Sequence, residues 1–349
     1  MRKLFVIADG GPRIGFGHLK RQADLINALQ ARAGWRACLA TTESSPEAVT
    51  FFRELCPETD HLALPGVEGL GRAIEQAKPD LVVVDVLNGR FEACGAAASA
   101  CGAVSLAVGD WSQPHPTRTA MLLNANPREV ERKRAFYEAA GVEALLGPGY
   151  FMASAALRQA PGARSPRSGV LEVLVALGGG DRTDALARIL EALRPITASR
   201  GLRVRVLISP VSAFTPDPAS AENGTVEFLQ AVRDVRPLLQ SADLLIASHG
   251  NIAYESAVLG VPMIAVNLVA CQQEQAEEME RLGAVVNAGP GESLESEPFR
   301  HLVERLLDDG PGRKAMATRR RELVDGRGLE RLMDALDRRW EQVTSGEGA

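Results

Sequence analysis

The feature that most constrains this chain is a repeated alternation of short apolar runs with amphipathic stretches. Residues 4–8, 37–41, 81–86, 104–107 and 121–123 are apolar runs bounded by polar or turn-forming residues. Several are continuous rather than alternating, which suits strands covered on both faces. Between the first two, residues 18–33 place Leu19, Ala23, Ile26 and Leu29 on one helical stripe, and Gly34 supplies a stop. Repeated β-α-β order of this kind predicts a doubly wound parallel sheet.

The pattern breaks at 158–168, where two prolines, a glycine and several polar residues show no periodicity and predict a linker. It then restarts, with strands expected at 171–177, 203–208, 244–247, 263–266 and 284–287. Helices are expected at 184–193, 232–239, 252–259 and 273–282, and a charged helical tail from Pro298. The predicted organisation is an N-terminal Rossmann-like domain at 1–157, the linker, and a C-terminal Rossmann-like domain at 169–349 that carries the tail. Two such α/β domains facing a cleft would bind ligands beyond the carboxyl ends of their strands.

Composition removes several alternatives. A chain of 349 residues, 46% hydrophobic and 24% charged, buries a sizeable core, so disordered and fibrous classes fall away. With 39 basic against 44 acidic side chains the net charge is −5, which offers no general field for nucleic acid or anionic lipid. A local basic pocket for one diphosphate remains compatible with that balance. Of the cysteines, Cys38, Cys56, Cys94, Cys101 and Cys271, no two have C-x-x-C spacing, and an odd count does not suggest a disulfide scaffold. The first apolar run stops at Asp9, short of the roughly 7–15 residues of a secretory core. No stretch approaches the ~18 apolar residues of a membrane helix. A reduced, cytoplasmic protein without an integral membrane segment is expected; oligomeric state is not set.

Three loops attract attention. Asp9-Gly-Gly-Pro-Arg-Ile-Gly15-Phe-Gly17-His18 follows the first strand and opens the first helix. Gly15 and Gly17 let backbone approach a ligand closely, and the helix start offers free N–H groups. The spacing is not G-x-G-x-x-G, and Glu43, just past the second strand, is not clearly placed to grip a ribose, so a nicotinamide site is disfavoured. His18 stands where catalytic groups collect; a helix N-terminus would keep its imidazole neutral and basic, although a histidine that merely caps the loop would look the same.

The second loop, Gly178-Gly179-Gly180-Asp181, alone reads as an ordinary β-α turn. The third is Ser248-His249-Gly250-Asn251, a helix N-terminus suited to a diphosphate. Glu255 lies about 7.5 Å further along that helix at ~1.5 Å per residue, far enough to meet a ribose. Gln272 and Gln273, after the strand at 263–266, could hydrogen-bond sugar hydroxyl or acetamido groups, or serve simply as first-turn helix residues. Cys271 beside them is expected to be a small buried residue, with no arranged base to make it a nucleophile.

Taken together, these residues resemble the UDP-sugar hydrolase of pseudaminic acid biosynthesis and its relatives, including spore-coat polysaccharide proteins of that type. Ile14-Gly-Phe-Gly-His18-Leu-Lys-Arg21 resembles I-G-x-G-H-x-x-R, and Leu177-Gly-Gly-Gly-Asp181 resembles a G-G-S-D turn. The segment from Ser248 to Glu255 is similar to the family's nucleotide-binding helix. Ala270-Cys-Gln-Gln273 resembles A-[DE]-N-Q, and Val324-Asp-Gly-Arg-Gly-Leu-Glu-Arg331 resembles D-G-x-G-x-x-R. The resemblance implies the glycosyltransferase B-type fold, no metal or cofactor, and a UDP-sugar substrate. Water would displace UDP from a diacetamido-trideoxy sugar with inversion. His18 would be the general base, with Gly15, Gly17 and Arg21 of its motif binding substrate, the 178–180 loop with Asp181 and the 248–251 helix start the diphosphate site, and Glu255 the ribose ligand. Departures fall near the expected sugar pocket: Asp85-Val-Leu87 replaces D-x-Y, Gly109-Asp110 replaces D-D, and Cys271-Gln272 replaces the acidic-Asn pair.

Two other readings stand beside this one. A glycosyltransferase of the same fold, similar to the enzyme that adds N-acetylglucosamine to the peptidoglycan lipid precursor, needs the same histidine. A membrane acceptor would call for a basic and apolar patch, and residues 128–134 are a candidate, although their mixed charge favours a solvated helix face. A non-catalytic nucleotide-sugar-binding subunit would fit the departures but not the intact His18 loop.

Overall fold

The chain divides into two units, Met1–Ala155 with Gly326–Ala349, and Ala156–Asp325. The computed structural model describes residues 1–345 other than 13, 33, 87–90, 161–170, 179–182, 210–211, 213, 217–224 and 231. Most of the expected linker 158–168 therefore lies outside the described residues.

The first unit holds seven strands: β1 (Arg2–Ala8), β2 (Trp35–Thr41), β3 (Asp60–Ala63), β4 (Leu81–Asp85), β5 (Val104–Gly109), β6 (Met121–Asn124) and β7 (Glu143–Leu146). They form one parallel sheet in the order β3-β2-β1-β4-β5-β6-β7. The continuous apolar runs have the expected cause. In β1, Leu4, Val6 and Ala8 join one core and Phe5 and Ile7 the other, so neither face is wet. Leu19, Ala23, Ile26 and Leu29 of the helix Gly17–Ala31 are all buried on the first of these faces.

The second unit repeats the plan with β8 (Glu172–Ala176), β9 (Arg203–Ile208), β10 (Val226–Gln230), β11 (Leu244–Ala247), β12 (Met263–Asn267) and β13 (Val286–Pro290). Its sheet is parallel in the order β10-β9-β8-β11-β12-β13. In both sheets the chain winds outward in one direction from the first strand and then in the other. The switch points are therefore β1/β4 and β8/β11, where neighbouring loops part and leave room for a ligand.

The tail departs from expectation. The helix Gly328–Ser345 belongs to the first unit, not the second. Leu329, Leu332, Met333, Leu336 and Trp340 form a stripe at helical spacing and enter the core against β1 and the helix Gly17–Ala31. Trp340 meets Trp35 with ring centroids 5.1 Å apart, and the Arg2 guanidinium lies 4.6 Å from the Trp340 ring. Close backbone approach seats the helix: a Cβ on Gly328 would collide with the backbone of Tyr150 and Phe151. Arg331 Nη1 donates to the Gly149 carbonyl at 2.7 Å.

Candidate functional site

In the first unit the loop after β1 is built by glycine. Gly11 and Gly15 exchange backbone hydrogen bonds of 3.1 and 2.7 Å, which closes the turn, and Gly15 needs the left-handed φ of +80°. A Cβ on Gly10 would press against Leu19, so the loop also lies close upon its own helix. Asp9 ties it sideways by accepting from Thr42 N and Glu43 N at 2.7 and 2.8 Å and from the hydroxyls of Thr42 and Ser44. Glu43 thus lends its backbone to the loop.

The chain then enters the helix Gly17–Ala31, which places His18, Arg21 and Gln22 one turn apart on a single face. All three reach Asp85, the fully buried last residue of β4. His18 Nδ1 lies 2.6 Å from Asp85 Oδ1, and Arg21 Nη2 donates to the same oxygen at 2.5 Å. Arg21 Nε and Gln22 Nε2 donate to Oδ2 at 2.6 and 2.7 Å. Burial alone would raise the Asp85 pKa. The charges of Arg21 and then His18, with their hydrogen bonds, overcome that and hold the carboxyl well below the usual carboxylate range. An ionised carboxylate only accepts, so the shared proton belongs to His18 Nδ1, and Nε2 is the ring nitrogen left to exchange a proton with a ligand. Such a histidine, partly exposed beside the β1/β4 switch point, can take a proton from water or from a hydroxyl.

Arg21, expected to bind substrate, is buried instead between carboxylates. Its Nη1 donates to Asp110 Oδ2 at 2.9 Å while Nε and Nη2 hold Asp85. Burial lowers its pKa, but Asp110 and then Asp85 raise it above the ordinary arginine value. The loop bearing Asp110 is itself fixed. Asn126 Nδ2 donates to the Asp110 carbonyl at 2.9 Å, and Asn124 Nδ2 to the Trp111 carbonyl at 2.9 Å. Lys133, fully buried, donates to the carbonyls of Trp111 and Asn126, and burial pushes its pKa down to about 8. The Gly109 departure now has a physical reason. A Cβ there would run into the Trp111 ring, which packs edge-on against Phe91 at 4.8 Å and stacks on His115 at 5.1 Å. The basic run at 128–134 is not a free patch, since Arg132 pairs with Glu129, Arg134 with Glu131, and Lys133 is inside.

Asp85 was not among the residues singled out from the sequence. Its signal was present: an acidic residue closing an otherwise apolar buried strand must have a partner within the fold.

In the second unit the loops after β8, β11 and β12 collect around the β8/β11 switch point. Gly178 takes φ of +91°, and a Cβ on it would stand 3.5 Å from Ser248 Oγ, which donates to the Leu177 carbonyl at 3.3 Å. Gly179, Gly180 and Asp181 lie outside the described residues. Gly250 is the N-cap of the helix Asn251–Leu259 and provides no side-chain cap, and its carbonyl accepts from Ala253 N at 2.9 Å, so the positive pole of the helix faces the switch point. Ser248 and His249 are buried, the latter edge-on to Tyr254 at 5.4 Å. Glu255 is buried too, so its carboxylate is not on the solvated face of the helix.

Gln272 and Gln273 differ in role. Gln273 is half-buried and engaged by its neighbours, accepting from Asn267 Nδ2 at 2.6 Å and donating to Glu277 Oε1 at 2.8 Å. Gln272 accepts from Leu268 N at 3.0 Å, and its Nε2 lies 3.9 Å from where a Cβ would stand on Gly250. Of the pair, Gln272 is the one directed at the helix start. Cys271 is exposed, not buried as expected, because the first turn of the helix Ala270–Arg281 turns that position outward. Among the described residues no three His, Cys, Asp or Glu side chains gather to hold a metal ion, and no helix is long and apolar enough to cross a membrane.

The fold is that of two Rossmann-like α/β domains, the B type of glycosyltransferases. No protein-family model matches the chain. It is 23% identical over 345 residues to the spore coat polysaccharide biosynthesis protein SpsG of Bacillus subtilis (strain 168), covering 97% of this chain and 98% of that one. MurG of Acinetobacter baumannii superposes with a TM-score of 0.71 at 15% identity, covering 97% of this chain and 100% of that one. The UDP-GlcNAc 2-epimerase of Neisseria meningitidis, solved with UDP-GlcNAc bound, gives a TM-score of 0.65 at 12% identity over 97% and 100% of the two chains. Identities this low establish the fold and leave the chemistry to the site.

Proposed function

We propose that this protein is a UDP-sugar-dependent enzyme that transfers a sugar, with inversion, to a hydroxyl acceptor of carbohydrate type. The observation that carries the reading is the His18–Asp85 pair at the β1/β4 switch point, with Nδ1 held at 2.6 Å by a buried carboxylate. His18 Nε2 takes the acceptor proton as the acceptor oxygen bonds to the anomeric carbon. The bond from that carbon to the diphosphate oxygen breaks, and UDP leaves with the electron pair. Asp85 stays ionised and stabilises the imidazolium as it forms. Negative charge grows on the diphosphate, and the start of the helix Asn251–Leu259, with Gln272 Nε2, faces it with positive charge and a donor. Glu255 is assigned to the ribose, and Gly178 with the loop that follows it to the phosphates. The similarity to a spore-coat polysaccharide protein and to an epimerase solved with UDP-GlcNAc supports a UDP-sugar donor in polysaccharide assembly.

A second reading keeps the same residues and lets water be the acceptor. The Ile14–Arg21 motif favours it, because that motif resembles the UDP-diacetamido-trideoxy-sugar hydrolase of pseudaminic acid biosynthesis. The two readings separate in a phosphorus NMR time course with a panel of UDP-amino sugars, with and without carbohydrate acceptors. UDP release that requires an acceptor supports transfer, and release without one supports hydrolysis. An undiminished rate in His18→Ala would remove His18 as the base under either reading.

A further inference from the structure

Arg320 is the largest fully buried side chain among the described residues. It comes from the helix Gly310–Leu323 and reaches the back of the helix Asn251–Leu259. Its Nη2 donates to the Ala253 carbonyl at 2.6 Å and to Ser256 Oγ at 2.7 Å, and Nη1 donates to the Ala284 carbonyl at 3.1 Å. All three acceptors are neutral. No carboxylate among the described residues pairs with it, and burial drives its pKa down without an opposing charge.

The other buried arginines show what is missing. Arg21 lies between two carboxylates. Arg313 donates to the carbonyls of Leu306 and Leu307 in the last turn of the helix Ser296–Asp308, where the negative pole of that helix faces the guanidinium. Arg320 instead contacts the first two turns of its target helix, so the positive pole adds to the arginine charge rather than cancelling it. A desolvated cation without a counter-charge is unfavourable, and the arrangement becomes favourable only when an anion arrives.

We infer that Arg320 supplies, from behind the helix Asn251–Leu259, the buried positive charge that an anionic ligand at the start of that helix requires. The ligand class is a nucleoside diphosphate, so the inference rests on the function proposed above and deepens it. Arg320 touches no ligand; it is a positioning residue that acts through the field and through the helix it clamps. Ala253 is two residues beyond Asn251, which puts a phosphate at the helix start about 10 Å from the guanidinium. At that separation and an effective dielectric of ~20, each unit of ligand charge gains about tenfold in affinity.

The test titrates UDP, inorganic pyrophosphate and uridine into wild type, Arg320→Lys and Arg320→Met, with the melting temperature of each. Arg320→Met should lose about 10- to 100-fold in affinity for UDP and pyrophosphate while uridine binding is unchanged. Arg320→Lys should keep most of the diphosphate affinity although its melting temperature also falls, because affinity follows charge rather than packing. If Arg320→Met does not fold, Arg320→Gln carries the neutral arm. Parallel losses for UDP and uridine, or a lysine variant as weak as the neutral one, would overturn the inference. Unchanged UDP binding in the neutral variant overturns it alone. Failure of wild type to bind either UDP or pyrophosphate removes the diphosphate site and the inference together.

Discussion

Asp85→Asn separates a carboxylate that sustains proton transfer from one that only holds the fold. Four donors converge on Asp85: His18 Nδ1 and Arg21 Nη2 on one oxygen, Arg21 Nε and Gln22 Nε2 on the other. Asparagine keeps the volume and one acceptor but loses the charge. In the transition state His18 becomes an imidazolium whose charge lies about 4 Å from that carboxylate. Coulomb's law at an effective dielectric of ~20 assigns this pair about 4 kcal/mol. Its loss should lower kcat by about a thousandfold. The proposed diphosphate site lies in the other unit, so the Kd for UDP should be unchanged. UDP release under single-turnover conditions reads the rate, calorimetry reads UDP binding, and near-ultraviolet dichroism checks the fold. Two-bond proton–nitrogen NMR of the wild-type ring should find the proton on Nδ1. A loss of activity below tenfold, a parallel loss of UDP binding, or a wild-type ring protonated on Nε2 instead would each refute the reasoning.

Other consequences are independent of substrate. Burial pushes the Asp24 carboxyl up to about 6 despite Lys20, so its ionisation costs the folded state stability as pH rises from about 4 to 6. Asp24→Asn should therefore stabilise the protein by about 1–3 kcal/mol at pH 8 and by nothing below about pH 4. Chemical denaturation at the two pH values measures this, and an equal gain at both would contradict it. Leu332→Ala, at a fully buried position in the last helix, should destabilise by about 2–5 kcal/mol, with the loss in the unfolding of the first unit. Hydrogen exchange that loosened the second unit instead would contradict the placement of that helix. Gly109→Ala should cost about 1–3 kcal/mol by displacing the Trp111 ring, visible as a change in tryptophan fluorescence. A silent substitution would mean the ring is not held there.

Strands at the centres of the sheets were legible in the sequence because burial on both faces leaves a continuous apolar run. Those not anticipated are β3, β7 and β10, and each is an edge strand. Asp60–Ala63 is largely exposed, Val226–Gln230 has no buried residue, and Glu143–Leu146 is buried only over its second half. An edge strand is recruited by a neighbour's unpaired backbone, which writes little into its side chains. The last helix shows a different limit. Its apolar stripe was readable, but a stripe does not say which core it enters, and the answer depends on the surface offered by β1 and the helix Gly17–Ala31. His18 was legible because loop, strand end and helix start coincide in sequence. Asp85 was legible only as a buried acidic residue in need of a partner; which partner depends on the adjacency of β1 and β4, strands separated by more than seventy residues of chain.

The two switch points differ in electrostatic character, and the difference follows from which residues each sheet presents. At β1/β4 Arg21 is shared between the carboxylates of Asp85 and Asp110, so the cluster keeps a net negative charge that favours the imidazolium as His18 receives a proton. At β8/β11 the helix start has no side-chain cap, and behind it Arg320 adds a cation whose acceptors among the described residues are all neutral. Proton uptake from a nucleophile and growth of negative charge on a departing diphosphate are the two charge changes of an inverting glycosyl transfer. Under the proposed function each falls to a different unit, and each unit has the electrostatics its step requires. Perturbing Asp85 should then change the chemical step with little effect on nucleotide binding, while perturbing Arg320 should weaken nucleotide binding and leave the histidine tautomer intact.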